Sequence, residues 1–166
     1  ITPTGTITEH PLPSPGSQPW EICSGADGAL WFSELGANRA GRITTDGTIT
    51  EVTLAGFDLS HTEGIVCDRS QGVWASMPGI GSRLVRLSGP GAPSYSPPLD
   101  GLAAGFAFSR LHRAYFTTYL FSTVEIGRLH PDSGAVPMRF PRPFTGTALQ
   151  FLLDHDGDLW WIDGGQ

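Results

Sequence analysis

His61 and Glu63 combine an imidazole with a carboxylate at two positions separated by a single residue. In an extended chain such residues face the same side, so their side chains could converge on one ligand or metal ion. A neutral imidazole can act as a general base, and carboxylate oxygens can bind a metal ion. We therefore take His61 and Glu63 as the candidate catalytic residues. The alternative is a solvated pair at the edge of the fold with no chemical role.

Trp20 and Glu21 lie one sequence repeat upstream of that pair and form a second candidate group. Glu21 adds a second carboxylate near the same edge, so we expect Glu21 and Glu63 to be the ligands of any bound metal ion. The indole of Trp20 offers a flat platform for an aromatic ring. Trp20 and Glu21 are therefore predicted to bind the ligand.

The two cysteines, Cys23 and Cys67, are too few for a disulfide framework. Neither has the CxxC or histidine spacing that holds zinc. We expect both to be buried free thiols.

An internal repeat defines the elements that must position these residues. Aromatic anchors recur at separations of 43, 41 and 45 residues, at Trp31, Trp74, Tyr115 and Trp160. A second anchor recurs at separations of 44 and 42 residues, at Arg42, Arg86 and Arg128. A third anchor is the near-identity of residues 4–9 and 46–51. Three independent anchors therefore share one period of about 43 residues.

Each repeat unit has the pattern of four short strands. In residues 20–54, β-branched and aromatic residues alternate with small or polar ones, and Asp27-Gly28 and Asp46-Gly47 supply tight turns. No window shows convincing helical periodicity. Four strands in 40 to 45 residues are typical of one propeller blade, which must stack on others to bury both of its faces. The sequence predicts an all-β propeller, with about four blades of four-stranded antiparallel sheet.

Both ends of the chain fall inside blades. Residues 1–166 are predicted to be a single propeller segment, with an outer strand of a split blade at 1–13, blades at 19–54, 62–99 and 103–141, and a partial blade at 147–166. Residues 1–13 could complete the partial blade and close a ring of four. However, most of a third strand would then be missing, so we expect an excerpt of a longer, seven-bladed ring.

Residues that recur once per repeat are expected to be structural. Arg42, Arg86 and Arg128 are predicted to tie neighbouring blades, and the four aromatic anchors to lie in the blade core. Glu34 and Asp163 follow the second strand of their units and are expected to accept hydrogen bonds from turn amides.

The repeat unit resembles the streptogramin B lyase family, also called virginiamycin B lyases, over essentially the whole chain. The match is closest in residues 19–54, which carry Pro19, Ile22, the run from Asp27-Gly28 to Trp31-Phe32, Glu34, Asn38, the Gly41-Arg42-Ile43-Thr44 string and the Asp46-Gly47 turn. Later units are more degenerate. The resemblance implies a seven-bladed propeller that linearises cyclic depsipeptide antibiotics by elimination across an ester, using Mg²⁺ and a histidine base.

The resemblance also implies a Glu-Pro-His-Gly string at the start of an inner strand in a late blade. This chain has no such string. The equivalent segment of the second unit reads His61-Thr62-Glu63-Gly64, in which the acid and the imidazole have exchanged places. Other units carry no histidine at this point.

Composition excludes some partners. The formal net charge is −6, with no Lys and no arginine-rich run, so a nucleic-acid partner is not expected. No apolar stretch is long enough to span a membrane. The expected partner is a small cyclic peptide or peptidic ligand. The resemblance implies a cytoplasmic protein, but the residues themselves indicate neither localisation nor oligomeric state.

Two other functions fit the same fold. A non-catalytic propeller could present the same surface to a protein, peptide or carbohydrate, because one fold hosts unrelated functions. A metal-dependent propeller lactonase is a weaker alternative, since it would need several converging metal ligands.

Overall fold

The structure is a computed structural model. It describes residues 3–54, 64–68, 72–77, 82–87, 93–96 and 98–99 with their side chains, and six strands between residues 102 and 163 by their backbone. His61 and Glu63 lie outside the described residues. In the described part of the chain, no helix has the length and apolar character needed to cross a membrane.

The described part of the chain contains fourteen strands, which form antiparallel sheets in chain order. The first blade contains β1 (Pro19–Ser24), β2 (Leu30–Glu34), β3 (Arg39–Ile43) and β4 (Ile49–Thr53). The second contains β5 (Ile65–Asp68), β6 (Gly72–Met77), β7 (Arg83–Arg86) and β8 (Ser94–Tyr95). The third contains β9 (Leu102–Phe108), β10 (Ala114–Leu120), β11 (Thr123–His130) and β12 (Gly134–Val136). The last sheet pairs β13 (Ala148–Leu153) with β14 (Leu159–Asp163). The all-β architecture of four-stranded antiparallel blades is confirmed.

The outer strand expected over residues 1–13 does not form in the part of it that is described. Residues 3–13 adopt turn and coil. A blade's outer strand pairs with its third strand, and the sheet that residues 1–13 would complete has only β13 and β14 among the described strands. The segment therefore has no described third strand to pair with.

The first strand of each blade lies beside the first strand of the next. Contacts join β1 to β5, β5 to β9 and β9 to β13. This stacking gives each blade a forward face, turned toward the next blade, and a rear face. In the first blade the forward face carries Cys23, Trp31 and Ala40, and the rear face carries Ile22 and Phe32.

The core lies between the first and second blades. Trp31 and Ala40 on the forward face of the first blade cluster with Ile65, Val73 and other buried residues on the rear face of the second. Burial of this apolar surface is what a single blade cannot achieve alone. Repetition is therefore a condition for stability.

The rear faces of the two blades have equivalent residues in different surroundings. Ile22 pairs with Phe32 as Ile65 pairs with Ala75, one repeat later. Ile22 is 60% exposed, whereas Ile65 is 3% exposed because the first blade covers it. Leu30 is likewise 44% exposed, and its equivalent Val73 only 2%. The rear face of the first blade thus has the composition of a blade–blade interface.

Gly41 allows this rear face to pack closely. It pairs with Phe32 across β2 and β3, and a Cβ atom at Gly41 would overlap the Phe32 ring. The Phe32 ring therefore occupies the space that a side chain at position 41 would need.

Candidate functional site

One end of the first blade forms a rim where β1 and β3 begin and β2 and β4 end. Pro19 pairs with Glu34, which pairs in turn with Arg39. At this rim the segment before β1 meets the segment after β2, where the Gly36 amide donates to the Ser17 carbonyl, 2.9 Å away. Gln18 there has a positive φ of 50°. This rim carries the predicted ligand-binding residues.

Trp20 and Glu21 lie at the start of β1, where the pairing with β2 shifts register between Pro19 and Ile22. The shift interrupts the backbone pairing of β1 with β2 at Glu21. The Glu21 amide donates instead to the hydroxyl of the buried Ser33, 3.1 Å away. Such a bulge redirects side chains at the edge of a sheet. The Trp20 side chain is 64% exposed at the rim, as a platform for a ligand requires.

The second blade has the same hydrogen bond from a backbone amide to a buried serine. The Gly64 amide donates to the Ser76 hydroxyl, 2.9 Å away, and Ser33 and Ser76 occupy equivalent positions, each fully buried. Glu21 and Gly64 are therefore equivalent positions of the two blades. By the same count Trp20 corresponds to Glu63, and Gln18 to His61.

The Glu21 carboxylate reaches the next blade. Its Oε2 accepts a hydrogen bond from the amide of Ile65, the first residue of β5, at 3.1 Å. The residue that Glu21 contacts, Ile65, is two residues along the chain from Glu63 and four from His61. Within the described residues, no group of three or more His, Cys, Asp or Glu side chains could hold a metal ion. The roles of His61, Glu63, Glu21 and Trp20 stay predictions.

Cys23 and Cys67 form a disulfide, with their Cα atoms 5.6 Å apart. The expectation of two free thiols is wrong. Cys23 pairs with Trp31 on the forward face of the first blade, and Cys67 pairs with Val73 on the rear face of the second. The two faces meet, so the sulfur atoms meet as well.

The sequence held a signal for this bond. The cysteines are 44 residues apart, one more than the separation of Trp31 and Trp74. Successive strand residues point to opposite faces. A separation of one repeat plus one residue therefore places two side chains on the facing surfaces of adjacent blades.

A cluster of charged side chains that includes one buried acid, Glu34, lies at this rim. The Glu34 side chain is fully buried, and Arg39 Nε lies 3.4 Å from Glu34 Oε2 and 3.7 Å from Glu51 Oε2. Ser14 donates to both carboxylate oxygens of Glu51, from its amide at 3.0 Å and from its hydroxyl at 2.5 Å. Burial raises the pKa of Glu34 above its ordinary value; the Ser17 hydroxyl and the Arg39 guanidinium oppose the rise, and the Glu51 charge adds to it.

Among the residues that the structure describes, no turn amide donates the expected hydrogen bond to the Glu34 carboxylate. Its main partner is Arg39, because Glu34 and Arg39 are directly opposite each other across β2 and β3. The side chain of Asp163, for which the same role was expected, lies outside the described part of the structure.

The recurring arginines Arg42 and Arg86 contact tryptophans of their own blades. Arg42 Nε donates to Asp27 Oδ2 at 2.7 Å, and its guanidinium lies 6.0 Å from the centre of the Trp31 ring. Arg86 lies 5.9 Å from the Trp74 ring. Each of these Arg residues lies opposite its tryptophan across two strands of one sheet. For Arg42 the contacts among the described residues lie within its own blade, and the expected tie between blades is wrong there. For Arg86 the tie stays a prediction, because the side chains of the third blade lie outside the described ones. The Arg128 side chain lies outside the described residues.

Trp31 and Trp74 are buried, as predicted for blade-core aromatics. The side chains of Tyr115 and Trp160, the other two anchors, are not among the described ones. Beside Trp31, burial acts to raise the pKa of Asp27, but hydrogen bonds from Arg42, the Ala29 amide and the Trp31 indole outweigh it and lower the pKa overall.

Comparison with known proteins gives a family match. The model of the virginiamycin B lyase family matches residues 1–96. A virginiamycin B lyase of Nocardia farcinica is 43% identical over 58 residues, which are 35% of this chain and 20% of that protein. A virginiamycin B lyase of Bordetella parapertussis is 45% identical over 58 residues, which are 35% of this chain and 18% of that protein.

Solved structures extend the likeness to nearly the whole chain. A virginiamycin B lyase from Staphylococcus aureus superposes with a TM-score of 0.85 at 27% identity, covering 98% of this chain and 55% of that one. A catalytically inactive histidine-to-alanine variant of the S. aureus enzyme, solved with quinupristin, has the same TM-score and coverage at 25% identity. The chain thus spans about half the length of these solved lyases.

A gluconolactonase from Xanthomonas campestris shares the fold alone. Its TM-score is 0.72 at 21% identity, with 89% of this chain and 56% of that one covered.

Proposed function

The chain belongs to the virginiamycin B lyase family, and on this premise we propose that the protein linearises cyclic depsipeptide antibiotics by elimination at their ester bond. The observation that carries the proposal is the family match over residues 1–96, a range that includes Trp20, Glu21, His61 and Glu63. The geometry of the rim supports it, because Trp20 is exposed beside a carboxylate that contacts the start of β5.

The reaction breaks a C–H bond and a C–O bond, forms a carbon–carbon double bond and the O–H bond of the released acid, and adds no water. A base removes the proton from the carbon next to a carbonyl group, and the electron pair of that C–H bond forms a carbon–carbon double bond. The adjacent C–O bond of the ester breaks, and its electrons leave with the carboxylate. The ring opens, and the product is an isomer of the substrate.

Each candidate residue has a separate task in this scheme. His61, as a neutral imidazole, accepts the proton. Trp20 holds an aromatic side chain of the antibiotic by stacking at the rim. Glu21 is fixed against the second blade by the amide of Ile65, which follows His61 by four residues in the chain. Orientation of this kind lowers the barrier, because the substrate is bound close to the base before reaction.

Glu21 and Glu63 would hold the metal ion. Carboxylates are the donors that Mg²⁺ takes in proteins, and one or two are enough because the ion keeps several of its waters. Of these two donors, the structure describes Glu21, at the rim of the first blade. When bound, Mg²⁺ supplies positive charge against the negative charge that develops during elimination.

The test is incubation of the protein with quinupristin, with Mg²⁺ and with a chelator in its place, followed by liquid chromatography and mass spectrometry. Elimination gives a product of unchanged mass and altered retention. Hydrolysis would add the mass of one water and would contradict the proposal. Retention of intact quinupristin on the protein without any product would favour the non-catalytic binding module instead.

Two histidine variants assign the base. His61→Ala is expected to lower the rate at least about a hundredfold, the scale of general-base catalysis. His10→Ala is the matched control, since His10 is exposed on the segment that precedes the first blade. Equal activity of both variants would remove His61 from the mechanism.

A further inference from the structure

We propose that Glu21 and the Cys23–Cys67 disulfide form a clamp between the first two blades, which fixes the start of β5 and so acts as a positioning device for the candidate site. This inference rests on the proposed function for its link to catalysis. The clamp itself consists of described residues and can be measured without substrate.

Two links cross from β1 to β5 at the same spacing. Glu21 accepts from the Ile65 amide at 3.1 Å, and two residues further on each strand Cys23 is bonded to Cys67. β1 and β5 belong to different sheets, so the backbone ladders of the blades do not join them. One charge-assisted hydrogen bond and one covalent bond thus connect strands that otherwise meet through packing.

The start of β5 is held from two sides. The Gly64 amide donates to Ser76 Oγ of its own blade, at 2.9 Å, and the next amide, Ile65, donates to Glu21 of the first blade. Two consecutive peptide groups are therefore oriented by different blades. Glu63 directly precedes this pair in the chain, and His61 precedes it by three residues. The clamp acts at the strand that follows both predicted catalytic residues.

The carboxylate of Glu21 has a task in the clamp that differs from metal binding. An amide oxygen can still accept the Ile65 hydrogen bond, so Glu21→Gln keeps the link and removes the charge. Glu21→Ala removes both. The two variants therefore separate a positioning role from a metal-ligand role.

The disulfide makes the clamp sensitive to redox conditions. A dithiol reductant supplies two electrons and two protons, breaks the S–S bond and leaves two thiols, while the dithiol itself becomes a disulfide. The hydrogen bond from Ile65 to Glu21 then remains as the only one of the two links.

Amide hydrogen exchange measured by NMR on the whole protein tests the clamp. Loss of a hydrogen bond to a charged group should raise the equilibrium constant for local opening, and with it the exchange rate of the amide, roughly tenfold or more. We expect Glu21→Ala to accelerate exchange of the Ile65 amide by about that factor, and Glu21→Gln to leave it near wild type. Dithiol reduction and the double variant Cys23→Ser/Cys67→Ser should each accelerate it too.

The Leu87 amide is the internal control, because it donates to the Val73 carbonyl within the second blade, at 2.8 Å. Equal acceleration at Leu87 and Ile65 would indicate general loosening and would overturn the clamp. Unchanged exchange of the Ile65 amide in Glu21→Ala would also overturn the clamp. Labelling of both cysteines by a maleimide in the native protein, before reduction, would show that the disulfide is absent and would overturn it as well.

Kinetics with quinupristin then test the link to catalysis. A positioning role predicts that dithiol reduction and Cys23→Ser/Cys67→Ser, which leave every proposed catalytic and binding residue in place, lower kcat more than they raise KM. Wild-type kcat in the reduced protein and in the double variant, with accelerated Ile65 exchange, would reject the positioning role. If wild-type protein leaves quinupristin intact, the proposed function fails, while the exchange data still decide the clamp.

Discussion

The carboxylate of Glu34 is fully buried at the rim, with the Nε atom of Arg39 3.4 Å from it. Burial of this group carries a cost when the carboxylate is charged, and Arg39 offsets only part of it, because the same guanidinium also lies 3.7 Å from Glu51. The equivalent position in the second blade is Met77, which is also buried. The site therefore accepts either a paired acid or an apolar side chain.

The first prediction concerns the pH dependence that Glu34 creates. Its pKa is raised above the ordinary value of 4.5, chiefly by burial, so the stabilisation linked to its protonated form is complete below that value. It is lost as the pH rises through the pKa of the folded protein. Glu34→Gln should remove this dependence from the free energy of unfolding, measured by denaturant titration across that pH range. Glu9→Gln, at an exposed position, should keep the wild-type slope, and a Glu34→Gln profile with that same slope would refute the assignment.

The second prediction concerns Asp27, whose pKa is lowered overall. Its contribution to stability is present above the ordinary value of 3.8 and is lost as the pH falls through the pKa of the folded protein. Asp27→Asn should cost about 1 kcal/mol at neutral pH, a modest loss because the carboxylate is partly exposed. Thermal unfolding at two pH values measures both effects. A variant as stable as wild type at neutral pH would show that the Arg42 contact contributes nothing.

The third prediction concerns the disulfide. It closes a loop of 44 residues, so the double variant Cys23→Ser/Cys67→Ser should lose roughly 2–4 kcal/mol of unfolding free energy. Ser24→Ala, beside Cys23 on the opposite face of β1, is the control. Disulfides persist in oxidising compartments, so protein made in a reducing cytosol should yield two reactive thiols per chain. Equal midpoints of wild type with and without dithiol would contradict a stabilising bond.

The fourth prediction compares equivalent residues on two rear faces. Ile65→Ala should cost roughly 2–5 kcal/mol, because Ile65 is packed against the first blade. Ile22→Ala should cost less than about 0.5 kcal/mol, the usual range for an exposed position. Denaturant titration of both variants provides the comparison. Equal losses of unfolding free energy in the two variants would show that the rear face of the first blade, which carries Ile22, is also buried in the protein.

The sequence alone determined the repeat and the architecture. The strand alternation, the Asp-Gly turns and the spacing of Trp31 and Trp74 are local signals, and each repeats about every 43 residues. They predicted the antiparallel blades and the burial of both tryptophans, which the structure confirms. The repeat also placed Trp20 and Glu21 near the predicted catalytic pair, as candidate ligand-binding residues.

Only the tertiary structure decided which partner each side chain meets. Adjacent strand residues point to opposite faces, and the stacking order of the blades determines which faces meet. For this reason Cys23 bonds to Cys67 and Glu21 reaches Ile65 across two blades, whereas Arg42 stays with Trp31 in its own sheet. Local patterns carry the identity of a strand, but contacts between blades depend on how the repeats stack.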